Sequence, residues 1–143
     1  MSHDMLHPKG WKPAIGYSNG VAAEGRMVFT GGMVGWNGDC VFESEDFAEQ
    51  TAQALRNVVE VLACAGARPE HLVRLTWYVT DKREYLGNLK KVGAFYKQII
   101  GRHYPAMALV QVVALVEDRA KVEIEATAVI PQGGDARLGG DRT

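Results

Sequence analysis

The most regular pattern in the chain is a helical spacing of apolar residues that begins at Phe47. Those at i, i+3, i+4 and i+7 are Leu55, Val58, Val59 and Leu62. This spacing forms one continuous face on an α-helix and predicts that the face is buried. Ser44 or Asp46 can cap the start of the helix, and Gly66 with Pro69 ends it.

Later segments alternate between strand and helix patterns. Apolar and polar residues alternate over 73–80, which predicts a strand with one buried face. Helical spacing returns after a cap at Thr80 or Asp81 and ends near Gly101, and its apolar face comprises Leu89, Val92, Phe95, Tyr96 and Ile99. Two further strands are predicted, over 106–116 and over 121–130, and we expect them to form an antiparallel hairpin.

The amino-terminal third carries weaker signals. Residues 1–15 have no period and are predicted to form an arm or loop. Short strands are predicted over 17–23 and 26–31, joined by a turn at Glu24-Gly25. Asn37-Gly38 is a strong turn signal, and a short strand is predicted to follow it over 40–42.

The order of elements predicts an α+β fold, with about six strands in a mixed sheet and two helices on one face. The helix between the strands at 73–80 and 106–116 allows a right-handed parallel crossover. The segment 106–116 has apolar residues on both of its sides, so the second face of the sheet should also be buried. Contact with another subunit would bury it. We expect one domain over 1–131 and a disordered Gly-, Asp- and Arg-rich tail over 132–143.

Composition narrows the functional classes. The chain has 143 residues and a formal net charge of -1, so a nucleic-acid partner held by phosphate neutralisation is not expected. Cys40 and Cys64 have no metal or redox spacing, and no apolar run is long enough for a membrane span or a signal peptide. We therefore expect a cytoplasmic protein that binds no membrane.

Several short motifs occur in order between residues 14 and 131. They are YSNG at 17–20, VFTGG at 28–32, VRLTWYVTD at 73–81, YPA at 104–106 with QV at 111–112, and VEIEA at 122–126. Each motif is weak alone, but the ordered set resembles the RidA/YjgF family, also labelled endoribonuclease L-PSP. The resemblance implies a chorismate-mutase-like fold, a homotrimer and small-molecule sites in clefts between subunits. It also implies hydrolysis of enamines and imines to ketoacids and ammonia, without a cofactor or metal.

The resemblance assigns roles to individual residues. Glu123 matches the glutamate that orients water and is the candidate catalytic residue. Gly31 matches a backbone contact to the ligand, and Tyr17 and Asn88 match residues near the cleft. Leu109, on the strand at 106–116, is a further candidate substrate-binding residue.

Met107 stands directly after Pro-Ala, where the family has an arginine that binds the substrate carboxylate. Arginine pairs bidentately with a carboxylate, whereas methionine is uncharged and apolar. Losing such a contact costs on the order of 2–5 kcal/mol, so the usual 2-imino acids are not the expected substrates. Arg102 or His103, which are close in sequence, are candidate replacements for the missing cation.

Other interpretations of these residues remain open. Glu123 can belong to a surface or interface ion pair, Tyr17 can be a packed aromatic residue, and Asn88 can bond to backbone at a helix surface. The whole chain can also be a non-catalytic ligand-binding or metabolite-sensing trimer. An endoribonuclease is a weaker alternative, because the charge is near neutral and the sequence has no catalytic cluster of His, Lys and Arg.

Overall fold

The computed structural model describes residues 3–132 of the chain. The helices and strands are, in order, β1 (Asp4–Leu6), β2 (Gly20–Ala22), β3 (Arg26–Phe29), β4 (Met33–Val34), α1 (Phe47–Ala63), β5 (Leu72–Val79), α2 (Lys82–Leu86), α3 (Leu89–Ile99), β6 (Ala106–Gln111) and β7 (Val122–Ile130). From residue 133 onward, the predicted tail over 132–143 lies outside the described residues.

The main sheet has five strands and is mixed. Its order is β3-β7-β5-β6, and β4 also pairs with β7. Only the β5–β6 pair is parallel; β3, β4 and β5 all run antiparallel to β7. The predicted α+β class, the mixed sheet and the parallel relation across the second helical region are therefore confirmed.

The predicted antiparallel hairpin of the last two strands is wrong. β7 lies between β3 and β5, and β6 lies on the other side of β5. β7 is the longest strand, and a central position gives its peptide groups partners on both edges. The strand predicted over 106–116 ends at Gln111, because β5 ends at Val79: the Val112 N–H donates to the Val79 carbonyl at 2.8 Å, and Val113 beyond it is fully exposed.

The amino-terminal hairpin predicted across Glu24-Gly25 is also absent. β2 pairs with β1, which lies in the segment predicted to be an arm, and β3 pairs with β7. The strand predicted over 40–42 is replaced by a turn. There the Asn37 carboxamide oxygen accepts from the Asp39 and Val41 N–H groups at 2.9 and 3.1 Å, and Cys40 adopts a φ of 62°. This turn uses the local backbone donors that a strand would need.

α1 starts at the predicted residue. The Asp46 carboxylate caps it by accepting from the Glu49 N–H at 2.9 Å. In place of the long helix predicted after Asp81, the structure has two helices, α2 and α3, which are separated by Gly87 and Asn88. α1 packs against β7 and α3, and its buried face joins the side chains of β5 and β7 in one core.

A buried amide fastens α1 to the loop that precedes β7. The Gln50 side chain is 1% exposed, and its amide nitrogen donates to the carbonyls of Ser44 and Arg119, both at 3.0 Å. Its amide oxygen accepts from the Lys121 N–H at 2.8 Å. Gln50 thereby satisfies three backbone groups that no strand or helix pairs. Over residues 3–132, no helix combines the length and the apolar character required to cross a membrane.

Candidate functional site

The two faces of the main sheet separate the predicted site residues. In the register of the sheet, Trp77 is paired with both Leu109 and Ile124, and Leu75 is paired with Met107. Paired residues point to the same face and successive residues to opposite faces. Met107 and Leu109 therefore share the helix-covered face with Trp77.

Glu123 lies on the other face, which no helix of the described chain covers. Its partner in the register is Tyr78, which follows Trp77 and so points away from the helices. We call this side of the sheet the open face. Within one protomer, Glu123 thus cannot meet Met107 across the sheet.

A cavity of about 570 Å³ lies on the helix-covered face. Its floor contains Trp77, Met107 and Leu109, and α3 forms a wall through Val92, Gly93, Tyr96 and Lys97. The remaining lining residues are Ile15, Gly16, Tyr17, Tyr85, Leu89 and Tyr104. We call this cavity the α3 pocket. Its volume falls within the range of roughly 300–1,000 Å³ that small-molecule sites occupy.

Two stacked tyrosines form one end of the α3 pocket. The rings of Tyr96 and Tyr104 stack with their centroids 5.3 Å apart and an interplanar angle of 11°. The Tyr96 hydroxyl donates to the His103 carbonyl at 2.6 Å. Burial, together with the neighbouring Tyr104, raises the pKa of Tyr96 well above its usual range. Tyr96 therefore remains a neutral donor with a fixed ring.

The floor of the pocket also holds a buried polar atom without a partner. The indole nitrogen of Trp77 finds no acceptor among the described residues, and the side chain is only 4% exposed. Buried donors are almost always paired in folded proteins. The sequence carries no signal for this role of Trp77, because its alternation with polar neighbours indicates only a buried strand face.

The candidate cations from the sequence do not reach the α3 pocket. Arg102 is exposed, and the imidazole Nε2 of His103 lies 2.8 Å from the Leu72 carbonyl. The hypothesis that either residue replaces the missing arginine gains no support from this geometry. Lys97 is the charged residue in the lining, and nothing in the sequence links it to Met107, which lies ten residues later.

Tyr17 and Asn88 have different surroundings. Tyr17 is 44% exposed and lines the α3 pocket. The Asn88 amide donates to the Glu84 carbonyl at 2.6 Å, and the following residue, Leu89, lines the pocket in its place. The arrangement agrees with a structural role for Asn88 at the break between α2 and α3.

Glu123, on the open face, lies beside the connection between β3 and β4. Glu123 is half-buried, and a Cβ on Gly32 would overlap its carboxylate oxygen Oε2. Gly31 precedes Gly32 in the connection between β3 and β4. Within residues 3–132 the side chain of Glu123 has no hydrogen bond or ion pair, so its carboxylate is available to water or a ligand.

The neighbouring Glu125 is engaged differently. Its carboxylate oxygen accepts from the Tyr78 hydroxyl at 2.9 Å. This hydrogen bond is the main reason that the pKa of Tyr78 is raised, and the charges of Glu125 and Glu123 add to it. In the described part of the chain, no three His, Cys, Asp or Glu side chains are close enough to share a metal ion.

Comparisons with known proteins agree on one family. The family model described as "Endoribonuclease L-PSP" matches residues 9–130. The human 2-iminobutanoate/2-iminopropanoate deaminase is 34% identical over 120 residues, which cover 81% of this chain and 82% of the relative. The Salmonella typhimurium protein of the same name is 35% identical, with 81% and 89% covered.

Solved structures give the same result. A Rid-family protein of unknown function from Yersinia pestis aligns with a TM-score of 0.80 and 32% identity, covering 91% of this chain and 100% of the other. Escherichia coli TdcF with bound serine aligns with a TM-score of 0.63 and 30% identity, covering 89% and 98%.

Proposed function

Because this chain belongs to the RidA/YjgF family, whose family model is described as Endoribonuclease L-PSP, we propose that it hydrolyses a small enamine, imine or related metabolite in an intersubunit cleft. The observation that carries the proposal is the separation of its parts. Glu123 lies on the open face with no partner for its carboxylate among residues 3–132, and the α3 pocket lies on the helix-covered face of the same sheet. Two copies are needed to bring such parts together.

Exposed apolar side chains support assembly through the open face. Met27 and Phe29 on β3 are 58% and 64% exposed, and Val110 on β6 is 45% exposed. The register pairs Phe29 with Thr127 and Val110 with Tyr78, which sets both residues on the side of Glu123. These side chains stand on the two outer strands of the sheet, and exposed apolar residues of this kind are typical of a subunit interface. We propose a homotrimer in which the open face of one copy adjoins the pocket mouth of the next.

The proposed reaction is the addition of water to a carbon–nitrogen double bond. The Glu123 carboxylate takes a proton from water as the oxygen attacks the imine carbon, and it returns the proton to the nitrogen. The resulting carbinolamine loses ammonia and leaves a carbonyl group, so one imine and one water give one ketone and one ammonia. Tyr17, Met107 and Leu109 would hold the apolar part of the substrate, and the backbone at Gly31 its polar end.

Ammonia release from imines, generated in place by an amino acid oxidase, tests the proposal. We expect Glu123→Gln to lower the rate by about 10²–10⁴-fold, the usual contribution of a general base. The matched control is Glu125→Gln on the same strand and face, which we expect to leave most of the rate. Equal rates for wild type and Glu123→Gln would contradict the proposal, and binding without turnover would favour a metabolite-sensing trimer.

We also propose a reducing compartment such as the cytoplasm. Cys40 and Cys64 are both exposed, and both are free thiols. Exposed thiols persist mainly where glutathione and thioredoxin keep them reduced.

A further inference from the structure

We propose that the α3 pocket binds a large apolar side chain of the substrate, and that Lys97 pairs with the substrate carboxylate in place of the missing arginine. The substrate class is then a 2-imino acid that carries an aromatic ring or a bulky branched group. This inference rests on the proposed function, because it names the substrate of the same site.

The chemistry of the lining favours a ring. Five of its side chains are aromatic, namely Tyr17, Trp77, Tyr85, Tyr96 and Tyr104, and most of the others are aliphatic. Aromatic walls attract another ring in stacked or edge-on geometry, beyond the effect of burying its area. An imine with only a methyl or ethyl group would leave most of the 570 Å³ cavity unfilled.

Gly93 keeps the pocket open. It lies inside α3, where glycine is less favourable than alanine, and a Cβ built on it would meet no atom within 4 Å. No neighbouring atom therefore requires a glycine at this position. The consequence of the missing side chain is the free space that a substrate side chain can enter.

Lys97 is placed to replace the arginine. It is exposed, lies one turn beyond Gly93 on the same helix and lines the same cavity as Met107. No hydrogen bond or ion pair engages its ammonium group within the described chain. Nearby, the Tyr104 hydroxyl also has no partner among residues 3–132, so both groups are available to a carboxylate.

The binding test uses stable ketoacids, the products of the proposed reaction, and isothermal titration calorimetry on the full chain. We expect phenylpyruvate to bind wild type at least about tenfold more tightly than pyruvate, since burying a ring adds roughly 1.5–3 kcal/mol. Gly93→Leu fills the pocket and should weaken phenylpyruvate by about tenfold or more, with little effect on pyruvate. Ala94→Leu adds the same bulk at an exposed position of α3 and should leave both ligands unchanged.

A second variant tests the cation. Lys97→Met keeps the length of the side chain and removes its charge. Exposed ion pairs contribute little, so we expect phenylpyruvate to weaken about two- to fivefold. Phenylacetone, which has the ring but no carboxylate, should bind wild type and Lys97→Met equally.

The outcomes separate this inference from the proposed function. The inference is overturned if phenylpyruvate binds no more tightly than pyruvate, or if Gly93→Leu leaves the affinity for phenylpyruvate unchanged. Either result counts even where imine hydrolysis is strong. Equal weakening of phenylacetone and phenylpyruvate by Lys97→Met overturns the role of the charge. Glu123→Gln should lower ammonia release by about 10²–10⁴-fold and retain phenylpyruvate binding, so a failure of catalysis is visible apart from a failure of recognition.

Discussion

The carboxylate of Glu123 occupies the space in which a side chain at Gly32 would lie. The overlap involves the end of the glutamate and not a backbone atom, so the glutamate can move aside. The absence of a side chain at Gly32 therefore leaves the space that the carboxylate occupies on the open face. Gly32 acts on the proposed chemistry through Glu123 and is a positioning residue.

Gly32→Ala is expected to displace the Glu123 carboxylate and lower imine hydrolysis by at least about tenfold, part of the general-base contribution. The free energy of unfolding should change by less than about 0.5 kcal/mol, because only a flexible side chain has to shift. Ammonia release and urea denaturation measure the two effects. Gly38→Ala, at a glycine whose Cβ would meet nothing within 4 Å, is the control. A fully active Gly32→Ala would show that the observed position of Glu123 is not the working one.

Met107→Arg is expected to improve hydrolysis of 2-iminobutanoate. The new guanidinium would lie in the α3 pocket and pair with the carboxylate, a contact of on the order of 2–5 kcal/mol when desolvated. The measurement is kcat/KM for 2-iminobutanoate in wild type and variant, with Met107→Leu as the uncharged control. Strong wild-type activity on this substrate would contradict the argument that Met107 disfavours the usual 2-imino acids.

Gln50→Leu is expected to lower the free energy of unfolding by about 2–3 kcal/mol. The change removes three hydrogen bonds and leaves the Ser44 and Arg119 carbonyls and the Lys121 N–H without this partner. Urea denaturation at one protomer concentration measures the loss. Gln98→Leu, at an exposed position of α3, is the matched control and should change stability by less than about 0.5 kcal/mol. Similar losses in both variants would mean that Gln50 does not hold the loop.

Tyr96 predicts a change in stability at alkaline pH. Burial raises the pKa of Tyr96 in the folded chain, so the unfolded state loses its phenolic proton first, from about pH 10. The stability that the neutral hydroxyl contributes is fully present below that pH and is lost as the pH rises toward the higher pKa of the folded state. The advantage of wild type over Tyr96→Phe in unfolding free energy should therefore be constant up to about pH 10 and shrink above it. A constant difference at higher pH would contradict the burial of the hydroxyl.

The elements that the sequence predicts well are those defined by local spacing. The face of α1 and its Asp46 cap, and the alternation in β5, depend on neighbours within one helix or strand. The order of strands depends on pairing between distant segments. Nothing local in residues 4–6 indicates β2 as a partner, and nothing in β7 alone indicates its central place.

The candidate site follows the same division. Family resemblance selected Glu123 and Met107 individually, but only the register of β5 with β6 and β7 reveals that they point to opposite faces. Lys97 and Gly93 carry no motif, because their importance comes from the helix that sets them over the floor of the pocket. The break at Gly87 and Asn88 was missed because helical spacing of apolar residues continues across it.

β7 carries Glu123 and is hydrogen-bonded along both edges, to β3 and β4 on one side and to β5 on the other. Amide protons in such a strand exchange with solvent only when the whole domain opens. The proposed water-orienting carboxylate is thus carried by a strand that is paired along both edges, whereas one wall of the pocket is α3, which has a glycine near its middle. Substitutions in α3 can then change the substrate preference while Glu123 keeps its place in the sheet. Substrate recognition and chemistry are therefore separately adjustable in one small domain.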